Sequence, residues 1–125
     1  MKKILSLICA ILFTNSLVLA YQDFHLNGFQ YIVIDNGSVA VWNCYNNQDT
    51  LIIPDVVTFN NVKYTVVEIA GGAFWGKDYI VSVIIPNTVT SIGQSAFREC
   101  ENLSSVVMPN SITNIGSWAF TYCPN

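Results

Sequence analysis

Five basic residues and one histidine in 125 positions leave this sequence poor in the side chains that most protein chemistry uses. Lysine and arginine are too few to neutralise a phosphate backbone, so nucleic acid is not an expected partner. His25 stands near the start of the chain, remote in sequence from any candidate nucleophile, and a general base needs partners within hydrogen-bond reach. No Cys-x-x-Cys pair, glycine-rich phosphate loop or Gly-x-Ser-x-Gly elbow is present. Asp35, Asp49 and Asp55 fall in predicted turns, where aspartate is common for backbone reasons, and Asp35-Asn36-Gly37 is too short for a calcium loop. Catalysis, a metal and any other cofactor are therefore not expected.

Also missing, beyond residue 20, is any apolar run near the roughly 20 residues that a membrane-spanning helix needs. Before that point the pattern differs. Met1-Lys2-Lys3 is basic, Ile4 to Phe13 is apolar, and Leu17-Val18-Leu19-Ala20 ends with small residues where a signal peptidase would cut. Residues 1–20 read as a secretory signal peptide, with the mature chain starting at Tyr21. Cys9 lies inside the apolar run rather than after it, which argues against a lipid anchor there. Without Lys2 and Lys3, three basic residues face eight acidic ones, a net charge of −5. The expectation is a secreted or cell-surface protein with no transmembrane segment in its mature form.

What the sequence does contain is a period. Ile69, Ile92 and Ile115 are 23 residues apart, and so are Ala73-Phe74, Ala96-Phe97 and Ala119-Phe120. Val66, Val89 and Ile112 keep the step, as do Ile80 with Leu103, Val83 with Val106, Ile85 with Met108, Pro86 with Pro109, and Cys100 with Cys123. Such a period is the signature of stacked coils, none of which can bury its apolar face alone. Within one unit, Leu103, Val106 and Met108 read as the inward positions of a short strand, because side chains alternate faces. Pro86 and Pro109 stop that strand, since proline cannot donate to the ladder. Val89 with Ile92, and Ile112 with Ile115, turn inward on the return stroke. Gly93 and Gly116 allow a tight bend where a side chain would clash, and Ala-Phe opens a short helical turn closed by the cysteine.

This unit resembles the BspA-like class of leucine-rich repeats, in which a proline follows the strand and Ile-Gly, Ala-Phe and a trailing cysteine come after it. The likeness covers residues 66 to 123, with departures at Ala70 in the glycine position and Lys77 in the cysteine position. It implies an α/β repeat solenoid, rich in β, with a short parallel strand and a short helical turn in each coil. It also implies a bacterial or protozoan surface protein adhering to host proteins or other cells.

Residues 21–68 read as an N-terminal β cap, and residues 69–125 as the solenoid. In the cap, Phe29 to Ile34 and Val39 to Trp42 alternate about a hairpin turn at Asn36-Gly37, and Val57 to Val66 suggests a second hairpin about Asn60-Asn61. Leu51-Ile52-Ile53-Pro54 resembles the strand-proline step, and nine extra residues separate it from the first return stroke. After Cys123 the next strand would be due, so the solenoid reads as the front part of a longer array.

Cys100 and Cys123 occupy equivalent core positions. Packing as small apolar residues accounts for them, although the sequence leaves open whether they are free or bridged. The outward strand positions are Ser82, Ile84, Ser105 and Val107, the candidate ligand-binding face. Trp75 and Trp118 do not repeat and are candidate aromatic contacts, able to stack on sugars, anchor a protein or only cover the solenoid's flank. The leading functional expectation is adhesion to extracellular protein or glycan, host-derived ligands included. The alternative is a structural spacer presenting another domain of a longer surface protein.

Overall fold

The computed structural model describes residues 22–124, so the segment read as a signal peptide lies outside it. Three antiparallel strands come first: β1 (Asp23–Leu26), β2 (Phe29–Asp35) and β3 (Ser38–Cys44). Asn27 and Gly28, both at positive φ, make the β1–β2 turn, the mirror-image type that matches strand twist. The β2–β3 turn falls at Asn36-Gly37, where the Gly37 N–H donates to Asp35 Oδ1 at 2.9 Å. Hydrogen bonds from Ser38 and Gly37 hold the exposed Asp35 carboxyl below its ordinary pKa.

Next come β4 (Thr50–Ile52) and a hairpin of β5 (Val56–Phe59) with β6 (Val62–Ile69). Asn60 and Asn61 turn this hairpin, at φ 50° and 63°. Both hairpins expected from sequence are therefore present. Phe24 stacks on Phe59 at 4.3 Å between centroids and on Tyr31 at 5.2 Å, tying the meander to the hairpin.

The repeated coils add β7 (Ser82–Ile84), β8 (Ser91–Ile92), β9 (Ser105–Val107) and β10 (Asn114–Ile115). Two sheets result. One runs β1-β2-β3-β6-β8-β10, with β5 on β6; the other runs β4-β7-β9 and is parallel throughout. Ile69 pairs with Ile92 and Ile92 with Ile115, so neighbouring coils are in register at the sequence period. Leu51 pairs with Val83, a separation of 32 residues, which is the 23-residue period plus the nine inserted by the β5–β6 hairpin.

Between the sheets lies a ladder of identical side chains. Phe74, Phe97 and Phe120 stack at 5.1 Å and 5.2 Å, and Val66, Ile69, Ile80, Val83, Val89 and Ile92 are sealed from solvent. Burial of each such side chain contributes about 1.5–3 kcal/mol. Met108 and Ile115, expected inward, are instead exposed, because among the described residues the third coil is covered on one side only.

The short helical turn expected in each coil is absent: no helix occurs among the described residues. In its place stands a chain of β-turns. Ala73 N–H bonds to Ala70, Trp75 to Gly72, Lys77 to Phe74 and Ile80 to Lys77, each spanning three residues, while the alternate N–H groups of Gly72, Phe74 and Gly76 reach carbonyls of the next coil. A helix would require all of these donors within its own segment. Gly72 and Gly76 also have φ of 69° and 67°, and the equivalent Ser95, Glu99, Trp118 and Tyr122 lie between 57° and 61°. Two left-handed residues four apart, each in the third position of a turn, rule out helical propagation.

The clash expected of a side chain at the repeat glycines is present, whereas the bend expected there lies elsewhere. Gly93 and Gly116 do not have left-handed φ; a Cβ on either would lie 2.4 Å from a backbone nitrogen of the preceding coil. They permit close approach between coils, while the left-handed bend falls at the residue two further on.

Candidate functional site

The parallel sheet β4-β7-β9 places the four strand-face residues as alternation requires. Ser82 pairs with Ser105 and Ile84 with Val107, forming two outward columns, while Val83 between them is fully buried. The structure adds a third member to each column. Thr50 pairs with Ser82 and Ile52 with Ile84, so the face comprises a hydroxyl column, Thr50-Ser82-Ser105, and an aliphatic column, Ile52-Ile84-Val107. The aliphatic members are 61%, 38% and 53% exposed. Sequence reasoning placed Thr50 and Ile52 in the cap; Pro54, which stands one step beyond the strand as Pro86 and Pro109 do, is the signal that relates them to the ladder.

The backbone underneath is joined coil to coil by hydrogen bonds. Ile85 N–H donates to Val107 and Ile53 N–H to Ile84, extending each ladder one residue past its strand. Ser104 Oγ donates to the Val81 carbonyl at 3.3 Å, so its hydroxyl is used in joining coils.

A second surface lies on the turns. Trp75 and Trp118 are both more than half exposed, but they occupy different positions of the repeat. Trp75 Nε1 donates to Glu99 Oε2 at 2.9 Å, and the Arg98 guanidinium lies 4.9 Å from the Trp75 ring and 5.7 Å from the Tyr122 ring. Arg98 Nε in turn donates to Glu99 Oε1 at 3.1 Å. Three successive coils thus supply one stack, Trp75-Arg98-Tyr122, with its charge balanced by Glu99. Tyr122 and Arg98 were not singled out in the sequence. Trp118 lies in the same turn as Tyr122, at φ 61°.

The cysteines face inward. Cys44, Cys100 and Cys123 are free thiols, and the sulfurs of Cys100 and Cys123 each donate to a phenylalanine carbonyl of the preceding coil at 3.1 Å. Burial pushes the Cys100 thiol up to about 11, so it stays protonated and unreactive at neutral pH. His25 lies in edge strand β1, with Nε2 3.9 Å from the Asp23 carboxylate.

Residues 67–125 match the BspA type leucine-rich repeat region along their whole length. This part of the chain belongs to that family. Solved structures agree. A leucine-rich cell surface protein from Faecalibacterium prausnitzii is 30% identical, with a TM-score of 0.77, over 82% of this chain and 28% of its own. A leucine-rich-repeat protein from Bacteroides ovatus is 34% identical, with a TM-score of 0.75, over 82% of this chain and 27% of its own. The leucine-rich-repeat protein of T. pallidum is 27% identical, with a TM-score of 0.70, over 82% of this chain and 46% of its own. The chain thus spans little more than a quarter of the first two relatives. No protein of curated function matches it in sequence.

Proposed function

We propose that this chain is an exported binding module, secreted or held at the cell surface, whose β4-β7-β9 face adheres to extracellular protein or glycan. The observation that carries the reading is the aliphatic column Ile52-Ile84-Val107, exposed on a strand ladder whose backbone hydrogen bonds hold it in place. Exposed β-branched residues in a continuous row favour a protein over a glycan, because they offer apolar area without hydrogen-bonding groups. The adjacent Thr50-Ser82-Ser105 column supplies donors and acceptors beside it. Each coil contributes one residue to each column, so affinity builds by repetition of weak contacts. Binding rather than catalysis fits a surface that offers no preorganised acid, base or nucleophile.

Binding of the purified chain to immobilised extracellular-matrix proteins and to glycans, measured for the wild type, Ser105→Arg and Val107→Glu, tests the reading. We expect at least a tenfold loss of affinity in both variants. Unchanged binding would remove the strand face as the adhesive surface. A spacer role is favoured by one fact, that the similar Faecalibacterium and Bacteroides chains are more than three times longer than the portion matched here. Under that reading no ligand is retained by these coils, and the wild type itself gives no signal.

A further inference from the structure

The turn surface is built differently from the strand face and points to a different ligand. Its backbone has two left-handed positions in each coil, held by Gly72 and Gly76, then Ser95 and Glu99, then Trp118 and Tyr122. Glycine fills such positions with least strain, and bulky residues there are uncommon. Tyr122 nevertheless holds one and is 66% exposed, while Trp75, two coils away, is 51% exposed. Both rings lie within cation–π reach of one guanidinium. The Arg98 guanidinium sits 4.9 Å from one and 5.7 Å from the other, and the Trp75 indole is tied to Glu99 at 2.9 Å. Rigid aromatic side chains lose little conformational entropy on binding a ligand.

Three features narrow the chemistry. First, the Arg98 guanidinium lies 3.1 Å from the Glu99 carboxylate, so the pair carries no net charge, and the chain as a whole is acidic. An anionic ligand has little to gain here. Second, half of one tryptophan and two thirds of one tyrosine expose on the order of 200–300 Å² of aromatic surface. A stable protein partner needs about 800 Å² on each side, whereas one or two sugar rings match the smaller area. Third, the aromatic surface is edged by a carboxylate and a guanidinium. Pyranose rings have an apolar face of C–H groups, which meets the negative face of an aromatic ring, and a rim of hydroxyls, which both donate and accept hydrogen bonds.

We propose that the turns of these coils form a glycan-binding platform in which Trp75 and Tyr122 stack on neutral pyranose rings while Glu99 accepts from and Arg98 donates to their hydroxyls. This site is separate from the β4-β7-β9 face and does not depend on it.

Affinity electrophoresis of the full chain through gels containing mannan, xylan or β-glucan, with heparin as the anionic contrast, tests the proposal. At least one neutral polysaccharide is expected to retard the wild type, with retardation falling at least fivefold in Trp75→Ala and in Tyr122→Ala. Trp75→Phe should retain part of it, and this variant with Tyr122→Ala covers the case in which Trp75→Ala does not fold. Trp118→Ala, in the same turn but outside the stack, and Lys63→Ala, exposed on the β5–β6 hairpin, should bind as the wild type does. Retardation by heparin alone, by no neutral polysaccharide, or equally in wild type, Tyr122→Ala and Trp75→Phe would overturn the proposal. Loss of the sugar signal in Ile84→Glu with its retention in Tyr122→Ala would place the sugar on the strand face and overturn the proposal, whatever Ile84→Glu does to protein binding.

Discussion

The N-terminal meander and the repeated coils solve the same problem, burying one apolar face, by opposite means. Strands β1 to β3 and the β5–β6 hairpin use antiparallel pairing between neighbours in sequence, closed by turns of two residues and by an aromatic cluster of Phe24, Tyr31 and Phe59. The coils use parallel pairing between residues 23 apart, and each side chain stacks on its own equivalent, as Phe74, Phe97 and Phe120 do. In the meander a residue is constrained by its partner across a hairpin. In the coils it is constrained by the copies before and after it, so close approach between backbones sets what each position tolerates.

The largest test of this contrast is Phe97→Ala. Removing the middle ring of the stack should cost about 3–5 kcal/mol, read by denaturant unfolding. Hydrogen exchange should locate the loss in the coils carrying β7 to β10 while β1 to β3 stay protected, because neighbouring units of an array interact only with each other. Uniform loss of protection would mean that the two regions unfold as one. Three glycines then separate the causes. Gly93→Ala drives a Cβ to 2.4 Å from the Gly71 nitrogen, and we expect a loss of about 3 kcal/mol. Gly76→Ala meets no atom within 4 Å but is held at φ 67°, so the expected loss is about 1–2 kcal/mol. Gly37→Ala, in the meander, meets neither obstacle, and its stability should stay within about 0.5 kcal/mol of the wild type. A different order in this series would break the argument that coil approach outweighs backbone strain.

A further expected effect depends on pH. The Cys100 thiol titrates at about 11 in the fold, against an ordinary value of 9.0, with burial the main cause. Its neutral form is the one the fold favours, so its contribution is complete below pH 9 and is lost as pH rises toward 11. Tyr31, also raised by burial, adds to the same alkaline decline. Stability of Cys100→Ala should therefore fall less steeply between pH 9 and 11 than that of the wild type. Parallel curves would show that the thiol is not a source of the decline.

Much of the fold was legible because its period is written in side chains that must be apolar. Ile69, Ile92 and Ile115, with the Ala-Phe pairs, place the coils, and the Asn36-Gly37 and Asn60-Asn61 pairs place two hairpins. The β1 strand was missed although Asn27-Gly28 is an equally strong turn signal, since only Phe24 and Leu26 mark the strand before it. The turn chain was misread as helical because Ala-Phe followed by a cysteine has helical spacing, while a left-handed residue leaves no mark when it is Ser95, Glu99 or Trp118 rather than glycine. Half of the candidate surfaces was legible. Alternation yields Ser82, Ile84, Ser105 and Val107, but Thr50 and Ile52 join them only through a ladder that skips the inserted hairpin. The Trp75-Arg98-Tyr122 stack runs diagonally across three coils, so no repeat position contains it.

The hydrogen bonds of the turns carry one further consequence. Gly72, Phe74 and Gly76 all donate toward the following coil, and Ser95, Phe97 and Glu99 do the same. These peptide dipoles point along one axis and add, as they do in a helix, although no helix is present. The turn edge is therefore an electrical vector with a sense set by chain direction. A coil can be exchanged for another only head to tail, because an inverted one would meet donors with donors.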